Sequence, residues 1–157
     1  MNDLWRGALG GLAGTLGMSA AMALSRRTRA MGGQVPPRKI TRNVEKSAGI
    51  REHLSGPAFE ASWVAQHLAY GTAAGVASAL AEDRLGLPPP VVAGPLFGAS
   101  LWAFSYAGWL PAAGLYPPPS RDRPSRVANM IVHHLIDGTT TALVTRVLRP
   151  RLVAEPS

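Results

Sequence analysis

The sequence predicts an all-α fold, a four-transmembrane-helix bundle, and three observations predict it. First, charged side chains are absent from long blocks, Gly7 to Ser25, Ala61 to Ala81 and Leu85 to Ser120, and crowd into Arg26 to Glu60. A soluble helical bundle spreads charge along the outer face of every helix. Long neutral blocks separated by charged patches are the membrane pattern. Second, the block Val91 to Leu110 is long enough to span a bilayer. At about 1.5 Å per residue, a helix of about 20 residues covers roughly 30 Å, the depth of the hydrocarbon core. Third, prolines stand at both its ends, Pro88 to Pro90 before it and Pro111 after it. Proline fits the first turn of a helix and cannot continue one.

The chain of 157 residues reads as a single membrane domain, 1–157. Its mean hydropathy is only +0.08, because Ala and Gly supply much of the apolar content. The first span is expected at 4–24. Arg6 lies near enough to its end to snorkel to the interface. Ala21-Met22-Ala23 is similar to a signal-peptidase site, but Arg26, Arg27 and Arg29 follow at once and hold the segment in place. Small residues recur every fourth position through Gly7, Gly11, Thr15 and Ser19, a stripe that lets another helix approach closely.

Residues 25–61 form a basic connection. Gly32-Gly33 and Pro36-Pro37 make its first part irregular. Ile40 to Leu54 reads either as an interfacial helix with Ile40, Val44 and Leu54 on its apolar side or as a solvated loop. The second span, 63–81, opens on Trp63 and places His67, Gly71 and Gly75 on one face. Glu82, Asp83 and Arg84 are expected to turn into the third span, 91–110. There Gly94 and Gly98 repeat the small-residue spacing, Pro95 is expected to kink the helix, and Trp102, Phe104, Tyr106 and Trp109 crowd the second half. A proline-rich loop with Arg121, Arg123 and Arg126 leads to the fourth span, 127–148, and a tail with Arg151 and Glu155. Basic residues concentrate on the first and third connections, which puts those in the cytoplasm and both termini outside it.

There are no cysteines, which excludes disulfides, thiolate metal sites and cysteine nucleophiles. The net charge of +7 sits beside hydrophobic blocks, so anionic lipid headgroups rather than nucleic acid are the expected partner. Arg38, Lys39, Arg42, Arg121 and Arg123 are the candidate headgroup contacts.

The second and fourth spans align at a fixed offset, His67 with His134, Leu68 with Leu135, Gly71 with Gly138 and Thr72 with Thr139. The first and third share G-x-L-x-G, and each is followed by prolines and then arginine. The same order of features occurs twice, as expected of two parallel helix-pair repeats.

Asp137 is the sharpest single residue. It falls near mid-membrane, where an ionised carboxylate must face the bundle interior and be paired, protonated or wet. His133 and His134, four and three residues before it, lie within reach, and Thr141 and Thr145 continue that face. With His67 and Tyr70 these residues form a candidate intramembrane polar site. A register-fixing hydrogen bond from Asp137 to Tyr70 or Ser100 is the structural alternative. Adjacent histidines diverge by about 100° on a helix, so no metal and no cofactor is expected. No G-x-S-x-G, P-loop or dinucleotide fingerprint occurs.

The glycine-rich first span, Pro36-Pro37-Arg38, His67 with Gly71, and Ala93 to Trp102 (AGPLFGASLW) followed by a proline-rich turn carry a resemblance. The pattern resembles the YagU-like small bacterial inner-membrane proteins and related four-span families. That resemblance implies an inner-membrane location and no catalytic residues. The function expected first is a non-enzymatic structural, accessory or stress-related component that packs through small-residue faces, as a homo-oligomer or with another membrane protein. The alternative is a small solute transporter or proton-coupled channel using the His/Asp face. An enzyme acting on lipid headgroups has basic residues here but no nucleophile or metal set.

Overall fold

Every regular element among the residues described by the computed structural model, 2–28, 34–86 and 88–149, is helical. Five helices carry the chain: α1 (Asp3–Arg27), α2 (Pro36–Ser47), α3 (Gly56–Leu85), α4 (Pro90–Ala112) and α5 (Pro124–Val147). Arg29, Gly32, Gly33, Arg151 and Glu155 lie outside the described residues.

Local chemistry sets the boundaries. The Asn2 side chain caps α1 by accepting from the Trp5 N–H at 3.1 Å. Ser55 caps α3 through the Ala58 N–H, and Pro57 follows in its first turn. Gly86 ends α3 in the left-handed region, at φ 60°, where a side chain is strained. α3 therefore extends four residues beyond Ala81, and Glu82 and Arg84 belong to its last turn rather than to a connecting turn. α2 differs from its expected bounds of Ile40 to Leu54. Pro36 and Pro37 open it instead of interrupting the chain, and it stops at Ser47 before Gly49, at φ 70°. α4 runs on through Pro95 as helix and widens into a π-helical segment over Ala103–Trp109. α5 begins at Pro124, three residues before Val127.

Glycines decide the packing. A Cβ on Gly7 would lie 2.6 Å from Val76 Cα, and one on Gly75 would overlap the backbone of Gly7 and Gly11. α1 and α3 therefore touch backbone to backbone, antiparallel. On another face of α1, a Cβ on Gly14 would lie 2.6 Å from the Asp137 carbonyl oxygen, and Gly10 meets Thr141 and Thr145. This makes α1 and α5 antiparallel as well. Gly94 and Gly98 meet Gly138, Thr139 and His134, which joins α4 to α5 in the same sense. The spatial order is α3, α1, α5, α4, with α1 and α5 central. Such small-residue contacts are a common way for helices to pack in lipid.

Gly138 nests between Gly94 and Gly98 as Gly75, not Gly71, nests between Gly7 and Gly11. The packing register of the two helix pairs thus differs by one turn from the sequence alignment. The broad α1–α5 contact also has no counterpart between α3 and α4.

Polarity is distributed against the habit of water-soluble folds. Among the described residues, buried polar side chains are as numerous as buried apolar ones, whereas large apolar side chains face outward, Val91 at 69% and Phe104 at 65% exposure. α1 and α4 are long and apolar enough to cross a membrane, and only 39% and 22% of their apolar windows are buried. α3 and α5 do not meet that measure of hydropathy.

Candidate functional site

Arg6 shows what the bundle does with a charge. It does not snorkel outward; it is fully buried, with Nη2 3.1 Å from Asp3 and Nη1 3.5 Å from Glu82. Glu82 also receives Arg149 at 3.6 Å. This ionic cluster ties together the N-terminal end of α1 and the C-terminal ends of α3 and α5.

The opposite end is closed by α2. Its Asn43 donates to the Leu115 carbonyl at 2.8 Å, and Lys39 sits 5.0 Å above the Tyr116 ring. Glu45 is fully buried and accepts from Ser62 at 2.6 Å. The expected headgroup contacts divide here. Arg38 and Arg42 lie over Phe59, and Arg38 also pairs with Glu60. Arg121 and Arg123 are exposed. The Arg38 guanidinium, with a 2.7 Å bond from the Trp63 indole, holds the Glu60 carboxyl below its ordinary range.

Between α2 and the middle of the bundle lies a cavity of about 170 Å³ to which all five helices contribute. Its wall is mainly apolar, with Met18, Ile40, Leu101, Leu110 and Met130 among its residues. Four of the expected site residues meet on it, His67, Tyr70, His134 and Asp137. Asp137 is only 4% exposed. Its Oδ1 lies beside Gly14, about 16 Å along α1 from Asp3. Neither Tyr70 nor Ser100 bonds it: Tyr70 packs against Trp109 with ring centroids 6.4 Å apart, and Ser100 is exposed. Among the described residues Asp137 has no hydrogen-bond or ion-pair partner.

The two adjacent histidines have different neighbours, and neither bonds Asp137. His133 Nε2 is 3.0 Å from the Ser25 hydroxyl at the far end of α1. His134 Nδ1 is 2.8 Å from the Met130 carbonyl, which can only accept, so Nδ1 carries the proton and Nε2 keeps a lone pair. His67 Nε2 is buried without a partner. Thr141 and Thr145 do not extend the cavity wall; they are buried against Gly14 and Gly10 of α1. Among the described residues no three His, Cys, Asp or Glu side chains converge on one point suited to a metal ion.

Several cavity residues escaped the sequence reading. Thr15 was legible only as part of the small stripe, and its hydroxyl donates to the Gly11 carbonyl at 2.8 Å. Tyr106 and Trp109 were legible as an aromatic cluster. The π segment that brings Ser105 and Tyr106 inward has no sequence signature of its own. Tyr106 donates to Asp122 at 2.6 Å, which in turn pairs with Arg126 at 3.2 Å and joins α4 to the start of α5. No protein-family model, curated protein or solved structure matches the chain. The site therefore rests on its own geometry.

Proposed function

We propose that the chain is a four-span protein of a bacterial inner membrane, similar in kind to the YagU-like group, and that its cavity holds a small solute in transit across the bilayer. The observation that carries this reading is Asp137, buried at mid-bundle without a partner among the described residues, on the wall of a cavity shared by five helices. A carboxyl group in that position is costly, and solute or proton pathways are where membrane proteins keep one. A mainly apolar cavity with a few convergent polar groups has the general character of a ligand site.

The outward-facing apolar side chains and polar interior support membrane insertion of α3 and α5 beside α1 and α4. The basic end around α2 then faces the cytoplasm, and the Arg6–Glu82 end faces outward. The accessory reading loses its main physical ground, because Gly7, Gly11, Gly75, Gly94 and Gly98 are occupied within the chain itself.

The absence of cysteine gives a direct test. Single cysteines at Ser47 and Leu85 should label from opposite sides of the membrane. A cysteine at Ser105, on the cavity wall, should react with a small neutral thiol reagent in lipid and resist a bulky one. Same-side labelling at the first two positions overturns the four-span topology. An inert Ser105→Cys overturns the solute site.

A further inference from the structure

We infer that the solute is a small organic ammonium ion with an apolar body. This rests on the cavity being a solute site and adds the chemical class. Among the described residues, Asp137 is a buried carboxyl with no counter-ion, and no lysine or arginine lines the cavity it faces. The missing positive charge has to come from the occupant if the carboxylate is ionised.

The other polar atoms agree in sign. In its neutral form His134 donates from Nδ1 to the Met130 carbonyl, which leaves Nε2 as an acceptor. His67 lines the same cavity, with its Nε2 buried away from it. The wall thus offers an acceptor beside the carboxylate to an N–H donor. Tyr70, Tyr106 and Trp109 present aromatic rings to the same cavity. Aromatic faces attract cations, most strongly where water is excluded. The remaining wall, with Met18, Leu101 and Met130, is apolar and takes the body of the molecule.

A route between α3 and α4 would fit this class. α3 and α4 meet at the Tyr70–Trp109 ring pair, and both rings are partly exposed on the outer surface of the bundle. A molecule entering between these helices comes from the bilayer, so it must be apolar over most of its surface.

The test is equilibrium binding of benzylamine and of its neutral isostere benzyl alcohol to the full chain in phosphatidylcholine nanodiscs at neutral pH, with empty discs as background. Benzylamine should bind about tenfold or more tighter than benzyl alcohol, and Asp137→Asn should remove that preference while leaving benzyl alcohol binding within about twofold. Helicity and a monodisperse elution profile establish that the variant is folded. If it is not, Trp109→Leu decides, since it keeps the carboxyl and should lower the amine preference about threefold. Equal binding of amine and alcohol by the wild-type chain overturns the ammonium assignment and leaves the solute site standing. Binding of neither overturns both.

Discussion

The seam between α1 and α5 and the contact between α3 and α4 border the same cavity and are built from opposite materials. Along the seam, Gly10 and Gly14 let the helices approach until Thr141, Thr145 and the Asp137 backbone touch α1. Between α3 and α4, the Tyr70 and Trp109 rings meet with their centroids 6.4 Å apart. Small residues bring backbones together and leave no space. Large rings hold backbones apart and leave a gap that the rings only partly fill. The difference teaches that this bundle is packed backbone to backbone on one side of its cavity and ring to ring on the other. It follows from side-chain volume alone.

Breaking the seam should have the largest effect. A side chain at Gly14 meets the Asp137 carbonyl, which is backbone and cannot yield. Gly14→Leu is expected to cost about 3 kcal/mol, the upper end of overpacking penalties. Trp109→Leu, on the open side, is expected to cost only about 1 kcal/mol. Thermal unfolding of both variants in one detergent measures the contrast. Equal losses would show that the gap is as tightly built as the seam.

The cavity floor between them carries the next effect, in the opposite direction. Asp137→Leu replaces an unpartnered buried carboxyl by an apolar group beside about 170 Å³ of space. The variant should be more stable than the wild type by roughly 1–2 kcal/mol. A lower melting temperature would mean that the carboxyl is paired in the folded chain.

At the far end of the seam, Ser25→Ala leaves the buried His133 Nε2 without its partner. A loss of about 1 kcal/mol is expected, and His133→Phe should remove the sensitivity to Ser25. A double-mutant cycle on unfolding midpoints checks this.

The glycine faces that pack α1 on α3 and α4 on α5 were legible in the sequence; the gap between α3 and α4 was not. The four-residue spacing of Gly7 and Gly11, or of Gly94 and Gly98, names a face, because helical periodicity is fixed by the backbone. Asp137 was legible because few charges occur in neutral blocks. Its surroundings were not: reach along a helix placed His133 and His134 near it, whereas Ser25 of α1 takes the one and the Met130 carbonyl, one turn back on α5 itself, takes the other. Arg6 read as a snorkelling residue because Glu82 is distant in sequence and adjacent in space. The π segment of α4 and the helical role of Pro36-Pro37 depend on tertiary packing that no local pattern encodes.

The smallest expected effect lies outside the cavity, at the basic end, where Glu60 is exposed and so contributes little. Arg38 and the Trp63 indole both hold its carboxyl below its ordinary value of 4.5. A carboxyl depressed on folding adds stability that is present above its unfolded value. That stability is lost as pH falls through the folded one. The gap in melting temperature between wild type and Glu60→Gln should therefore be small, constant above about pH 5, and shrink as the solution is acidified below it. It should also fall with added salt, as exposed pairs do. A gap that instead grows on acidification would assign the Glu60 effect to its uncharged form. The Arg38 pair would then have no part in anchoring α2 across the cavity.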